Sequence, residues 1–203
     1  GGTASSGVAD LYVSRPSAGY GYLNANVRDN PFGARVRLVL NVAQSGGGFY
    51  VTGTGNNYSG GTVVNGSTVQ LSGAGTVIPA AFDPVLGLSI TGNATISSNG
   101  VVLNANNQIA ASNQVNLSGN GVLNLGVYSQ TLAALNFNDT GSFGAPSVIG
   151  SGSLTLSATG SINATSLDPG TPPTLSVGTL NLSGNAAFPL SVMAARVGGQ
   201  VAG

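Results

Sequence analysis

The chain reads as all-β: a parallel β-helix, or solenoid, with short strands and Gly, Asn or Ser corners. Three observations lead there. A short apolar strand closed by Ser-Gly, or a close equivalent, returns down the sequence. No stretch carries the 3.6-residue apolar period of an amphipathic helix over a helix's length. Finally, 41% hydrophobic residues stand in short alternating runs among 33 Gly and abundant Ser, Thr and Asn, with only 5% charged residues. Low charge with low complexity suits disorder, but that apolar content in that pattern suits a packed β structure better.

The recurring strand cores are Thr68-Val69-Gln70-Leu71, Leu88-Ser89-Ile90, Gln114-Val115-Asn116-Leu117, Ser153-Leu154-Thr155-Leu156 and Thr179-Leu180-Asn181-Leu182. They are followed by Ser72-Gly73, Thr91-Gly92, Ser118-Gly119, Ser157-Ala158 and Ser183-Gly184. Aligning Leu71, Ile90, Leu117, Leu156 and Leu182 as inward stacks leaves gaps of roughly 19, 27, 39 and 26 residues, the spacing of solenoid repeats. Leu135-Asn136-Phe137 divides the longest gap. A β-sandwich would want longer strands at wider spacing. In a solenoid, inward Val, Leu and Ile stack on the next coil, outward Thr, Ser and Asn face water, and Gly or Asn takes the tight corners.

In order, residues 1–45 form a distinct β-rich N-terminal segment, read as an assembly or capping region. It holds Arg15, Arg28, Arg35 and Arg37, with Tyr12, Tyr20 and Tyr22. Between 34 and 42 the alternation predicts a half-buried strand with Val36, Leu38, Leu40 and Val42 on one side and Arg35, Arg37, Val39 and Asn41 on the other. Residues 46–187 form the repeat domain. Strands are expected at 49–52, 62–64, 68–71, 76–78, 86–91, 94–97, 101–104, 108–110, 115–117, 122–125, 131–133, 135–137, 147–149, 154–156, 161–163, 175–177 and 179–182, two to four per coil. Proline-bearing segments such as Ile78-Pro79, Asp83-Pro84 and Ala145-Pro146 belong in loops between them. Residues 188–203 form a strand-like tail.

One stretch carries a resemblance. Gly53-Thr54-Gly55-Asn56-Asn57-Tyr58-Ser59-Gly60-Gly61-Thr62-Val63-Val64-Asn65-Gly66-Ser67-Thr68-Val69-Gln70-Leu71 resembles the autotransporter-associated β-strand repeat, with its Asn-x-Tyr-x-Gly-Gly-Thr-x-Val core. Asn113-Gln114-Val115-Asn116-Leu117-Ser118-Gly119-Asn120-Gly121-Val122-Leu123-Asn124-Leu125-Gly126 is similar to the coil that often follows in such passengers. Together they cover about a fifth of the chain. The resemblance implies a right-handed parallel β-helix on a secreted bacterial surface protein. Gly1-Gly2-Thr3-Ala4-Ser5-Ser6-Gly7 has neither a basic start nor an apolar run, so an N-terminus that is mature, processed or truncated is expected.

Composition narrows the chemistry. The formal net charge is zero, so nothing steers the chain toward nucleic acid or an anionic membrane. There is no Cys for disulfides or thiolate metal sites, and no His to serve a serine nucleophile. No apolar run is long enough for a spanning helix, and the strands are too short, without aromatic girdles, for a membrane barrel. Asp29, Asp83, Asp139 and Asp168 sit at turn positions, where a carboxylate caps backbone amides, and Asp10 carries no pattern. Arg35 and Arg37, on one outer strand face, are expected to pair with a carboxylate such as Asp29 or Asp10, with binding of an acidic sugar as the alternative. No catalytic, cofactor-binding or metal-binding residue and no cofactor is predicted.

The expectation is therefore a non-enzymatic structural or adhesive protein of the bacterial cell surface or extracellular matrix. Its partners would be copies of itself, joined head to tail into a fibre, and surface glycans. Two alternatives stand beside it: a carbohydrate- or ice-binding module using aligned Thr or Asn, hinted at by Thr62, Thr68 and Thr76, and a polysaccharide-cleaving enzyme using carboxylates brought together across coils.

Overall fold

In the computed structural model the described residues are 6–42, 46–66, 68–92, 100–139, 144–167, 171–183 and 189–194. In chain order the strands are β1 (Val8–Arg15), β2 (Gly19–Leu23), β3 (Arg35–Val42), β4 (Gly47–Val51), β5 (Thr62–Gly66), β6 (Thr68–Leu71) and β7 (Leu88–Thr91). There follow β8 (Gly100–Leu103), β9 (Gln114–Ser118), β10 (Val122–Asn124), β11 (Gln130–Asp139), β12 (Ser147–Ser166), β13 (Thr174–Leu182) and β14 (Leu190–Ala194). The only helical element among the described residues is the 3-10 turn Pro84–Leu86, just before β7. From β1 to β11 consecutive strands do not pair with each other; β12, which spans several corners, pairs with both β11 and β13. Each pairs in parallel with the strand one turn further along, which makes the chain a β-solenoid.

Three faces wind around one core. The first carries β1, β3, β5, β7, β9, the end of β11, the end of β12, and β14. The second carries β2, β4, β6, β8, β10, the start of β12 and the start of β13. On the third, Gln130–Leu132 of β11 pairs with Leu154–Leu156 of β12, and Leu156 with Leu182 of β13. β12 is long because it turns two corners and serves all three faces. The Arg- and Tyr-bearing N-terminal segment forms the first turns, and its strands β1 and β3 continue into β5 on one ladder.

Alternation then sorts the side chains. Val13, Leu40, Val64, Ile90, Leu117, Phe137 and Ala164 are register partners in sequence, one inward stack on the first face. Phe49, Val69, Val101, Leu123, Val148 and Leu175 make the equivalent stack on the second. Each fully buried Leu, Ile or Val in such a stack contributes about 1.5–3 kcal/mol of burial. In β3, as expected, Leu38, Leu40 and Val42 are buried and Arg35, Arg37 and Asn41 only partly so, but Val36 is half-buried and Val39, expected on the outer side, is buried as well.

The expected alignment of Leu71, Ile90, Leu117, Leu156 and Leu182 needs correcting. Ile90 with Leu117 and Leu156 with Leu182 are true register pairs, but they lie on the first and third faces, and Leu71 lies on the second, stacked between Val51 and Leu103. Leu182 is also 44% exposed, unlike the other four. The gaps of the sequence alignment that match a coil join residues of one face; those that do not mix faces. The strand expected at 94–97 lies outside the described residues.

Along the early turns the third face has, among the described residues, no continuous strand, only the isolated bridge between Ile78 and Ile109. Side-chain amides replace the missing ladder. Asn56 Oδ1 accepts from the Val27 amide at 2.7 Å, while its Nδ2 donates to the Gly53 and Val77 carbonyls, so one residue ties three turns. Gln108, fully buried, accepts from the Gly73 amide and donates to the Gly73 and Gly75 carbonyls. Gln130, also buried, accepts from the Ile109 amide and donates to its carbonyl. Backbone groups removed from water must find partners, and here amides projecting from the next turn supply them.

Proline and glycine mark where the ladder stops. Pro146, Pro173 and Pro189 each stand immediately before a strand, where a missing N–H costs no pairing. At the corner before β5, Gly61 has φ +91°, and a Cβ there would run into the Leu86 carbonyl oxygen of the next turn.

Candidate binding surface

The carboxylates are engaged locally. Asp10 forms a two-pronged ion pair with Arg37, Nε to Oδ1 at 2.7 Å and Nη2 to Oδ2 at 2.8 Å, linking β1 to β3. The Arg37 hydrogen bonds hold the Asp10 carboxyl below the ordinary value against the opposing effect of desolvation, aided by the Tyr12 hydroxyl. Burial pushes the Asp29 carboxyl up, but hydrogen bonds from the Ser59 hydroxyl and from the Val36 and Ser59 amides outweigh it, and its pKa is lowered. Asp83 accepts from the Val85 amide and caps the 3-10 turn. Asp139 is buried and accepts from the Ser166 hydroxyl at 2.6 Å. Asp168 lies outside the described residues. Of the two arginines expected to pair, Arg37 does so with Asp10, whereas Arg35 places its guanidinium 3.4 Å from the centre of the Phe82 ring.

The tyrosines divide by environment. Tyr58 is buried, its hydroxyl 2.7 Å from the Thr62 hydroxyl, and burial raises its pKa strongly, with the Thr62 bond opposing. On the outside of the second face Tyr22 and Tyr50 are register partners with rings stacked at 5.1 Å and 12°, and Tyr20 leans on Tyr50 at 5.0 Å. Composition flags tyrosines near the N-terminus, but only the register shows that these three form a cluster.

The Thr hint does not line up. Thr62 is buried in the stack between Leu38 and Leu88, Thr68 lies outward on the second face, and Thr76 is exposed on the third. A different polar array does. On the outer side of the first face Ser89, Asn116, Asn136 and Asn163 are successive register partners, and beside them run Thr91, Ser118, Asn138 and Thr165. Asn136 Nδ2 donates to Asn116 Oδ1 at 2.8 Å and to Gln114 Oε1 at 3.2 Å. Asn163 Nδ2 donates in turn to Asn136 Oδ1 at 2.8 Å and to Ser161 Oγ at 3.2 Å. Asn116 is held at its other end by the Val85 carbonyl. The signal that could have found this row was the apolar-Asn-apolar-polar pattern of Val115-Asn116-Leu117-Ser118, Leu135-Asn136-Phe137-Asn138 and Ile162-Asn163-Ala164-Thr165, hidden by unequal loop lengths between them.

Among the described residues no group of three or more His, Cys, Asp or Glu side chains is placed to hold a metal ion, and no helix is long and apolar enough to cross a membrane. No family model, no curated protein and no solved structure matches this chain, so the reading of its surface rests on its own geometry.

Proposed function

We propose that the chain is a non-enzymatic structural or adhesive element, a stiff β-solenoid shaft displayed at a bacterial surface or in the extracellular matrix. The observation that carries this reading is the lateral tying of successive turns twice over, by parallel ladders on the faces and by amide side chains such as Asn56, Gln108 and Gln130 between them. Such cross-links resist bending and shear between coils, which a spacer or adhesin shaft requires. The engagement of Asp10, Asp29, Asp83 and Asp139 with structural partners supports a non-catalytic role over polysaccharide cleavage. The surface location rests on the autotransporter-repeat resemblance of residues 53–71. The head-to-tail association proposed with it has support in β14, where Leu190, Val192 and Met193 are exposed.

Small-angle scattering and sedimentation across a concentration series test the proposal. A rod-shaped particle that lengthens with concentration and releases no reducing ends from polysaccharides is the expected result. A compact particle, or turnover lost on replacing Asp139, would defeat it.

A further inference from the structure

We infer that the outer side of the first face, from Ser89 and Thr91 to Asn163 and Thr165, is a binding surface for a neutral, unbranched, extended polysaccharide chain. The two rows differ in a way that suits a ligand. The inner row is a rigid shelf, because Asn136 and Asn163 spend their Nδ2 hydrogens on neighbours within the protein. In the row beside it, Ser118 Oγ donates to Thr91 Oγ1 at 3.2 Å, whereas the Asn138 and Thr165 side chains have no hydrogen-bond partner among the described residues; Asn163 Oδ1, in the inner row, likewise has none. Preorganised acceptors thus stand beside unpaired amide and hydroxyl groups, at low entropic cost for a ligand that pairs with them.

Spacing and charge select the ligand class. Neighbouring strands lie about 4.8 Å apart, so the rows from Ser89 to Asn163 run straight for about 14 Å along the solenoid axis. That repeat is close to the rise per sugar of an extended β-linked glucan or chitin chain. All eight side chains are neutral, which offers nothing to phosphates or uronates. They also lack the apolar centre of a protein interface. An ice plane would want a surface of uniform height, whereas Thr91, Asn138 and Asn163 are exposed and Asn116, Ser118 and Thr165 are half-buried. Sugar hydroxyls, which rotate, accommodate such unevenness. This surface rests on the shaft reading only in needing the solenoid; it would give the shaft its adhesive property.

The test is co-sedimentation of the full chain with microcrystalline cellulose and with chitin, beside soluble starch, whose chains coil. Retention on at least one of the extended polymers and none on starch is expected. Asn138→Arg and Asn163→Arg should each weaken retention about tenfold or more, since each places a bulky charge in the rows. Thr155→Arg, on the third face, should leave retention unchanged. Thermal melting confirms that all three variants fold. Absence of retention on both polymers, or retention indifferent to both first-face variants, overturns the inference while leaving the shaft intact if scattering still reports a rod. Ice-crystal shaping by the parent that Asn138→Arg abolishes would assign the surface to ice instead.

Discussion

The hydroxyls of Tyr58 and Thr62 lie 2.7 Å apart inside the solenoid, a polar pair set among the stacked apolar side chains of the first face. Thr62 occupies a position that Leu38 and Leu88 fill one turn to either side. Tyr58→Phe removes one partner and strands the Thr62 hydroxyl, so it should cost about 1–3 kcal/mol in urea denaturation. Tyr58→Phe combined with Thr62→Val removes both and should recover much of that loss. A double variant no better than the single one would show that the pair does not act as a unit.

Gln108 illustrates how amides replace strands. Gln108→Leu fits the volume but leaves the Gly73 amide and the Gly73 and Gly75 carbonyls without their present partner. Each unsatisfied buried group costs about 1–3 kcal/mol, so the loss should exceed that of an outward Gln such as Gln70. Hydrogen exchange should show the Gly73 amide deprotected first. Protection at Gly73 equal to that of the parent would count against the bridging role.

Asp29 should link stability to acid. Its folded pKa is depressed, so its stabilisation is complete above the unfolded Asp value of about 3.9 and is lost as pH falls through the lower folded value. Asp29→Asn should lower stability at neutral pH and flatten the acid limb of the pH profile. Denaturation midpoints taken from neutral to strongly acidic pH measure both. The exposed Asp10 and Arg37 pair should respond to salt instead, because solvent screens it.

Leu117 lies within the first-face stack, between Ile90 and Phe137. Leu117→Asp should cost several kcal/mol or prevent folding, because the charge would be buried unpaired. The neighbouring outward change Asn138→Asp should alter stability by no more than about 0.5 kcal/mol. Comparable melting temperatures for the two variants would refute the register.

Much of the architecture was legible in local pattern. Alternation at Val36, Leu38, Leu40 and Val42 has period two, and period two assigns inward and outward whatever the fold. Short apolar runs separated by Gly, Asn and Ser pointed to a solenoid, and turn chemistry around Asp29 and Asp83 pointed to capping, as found. Alternation, however, says nothing about which face a strand occupies. Leu71, Ile90 and Leu156 look equivalent in sequence and lie on three different faces, because that assignment depends on loop lengths the local pattern does not encode.

Polar residues show the same division more sharply. By itself the sequence established an uncharged, hydroxyl- and amide-rich chain able to form short strands, and hydrophilicity assigned its Asn and Thr to the surface. Tertiary structure decided that Gln108, Gln130, Asn113 and Thr62 are buried and that Asn116, Asn136 and Asn163 align as one hydrogen-bonded row. An amide side chain is costly inside only when unpaired, and the partners that join one turn to the next here are 20 or more residues away in the chain. Only the winding of one turn onto the next brings them within hydrogen-bonding distance.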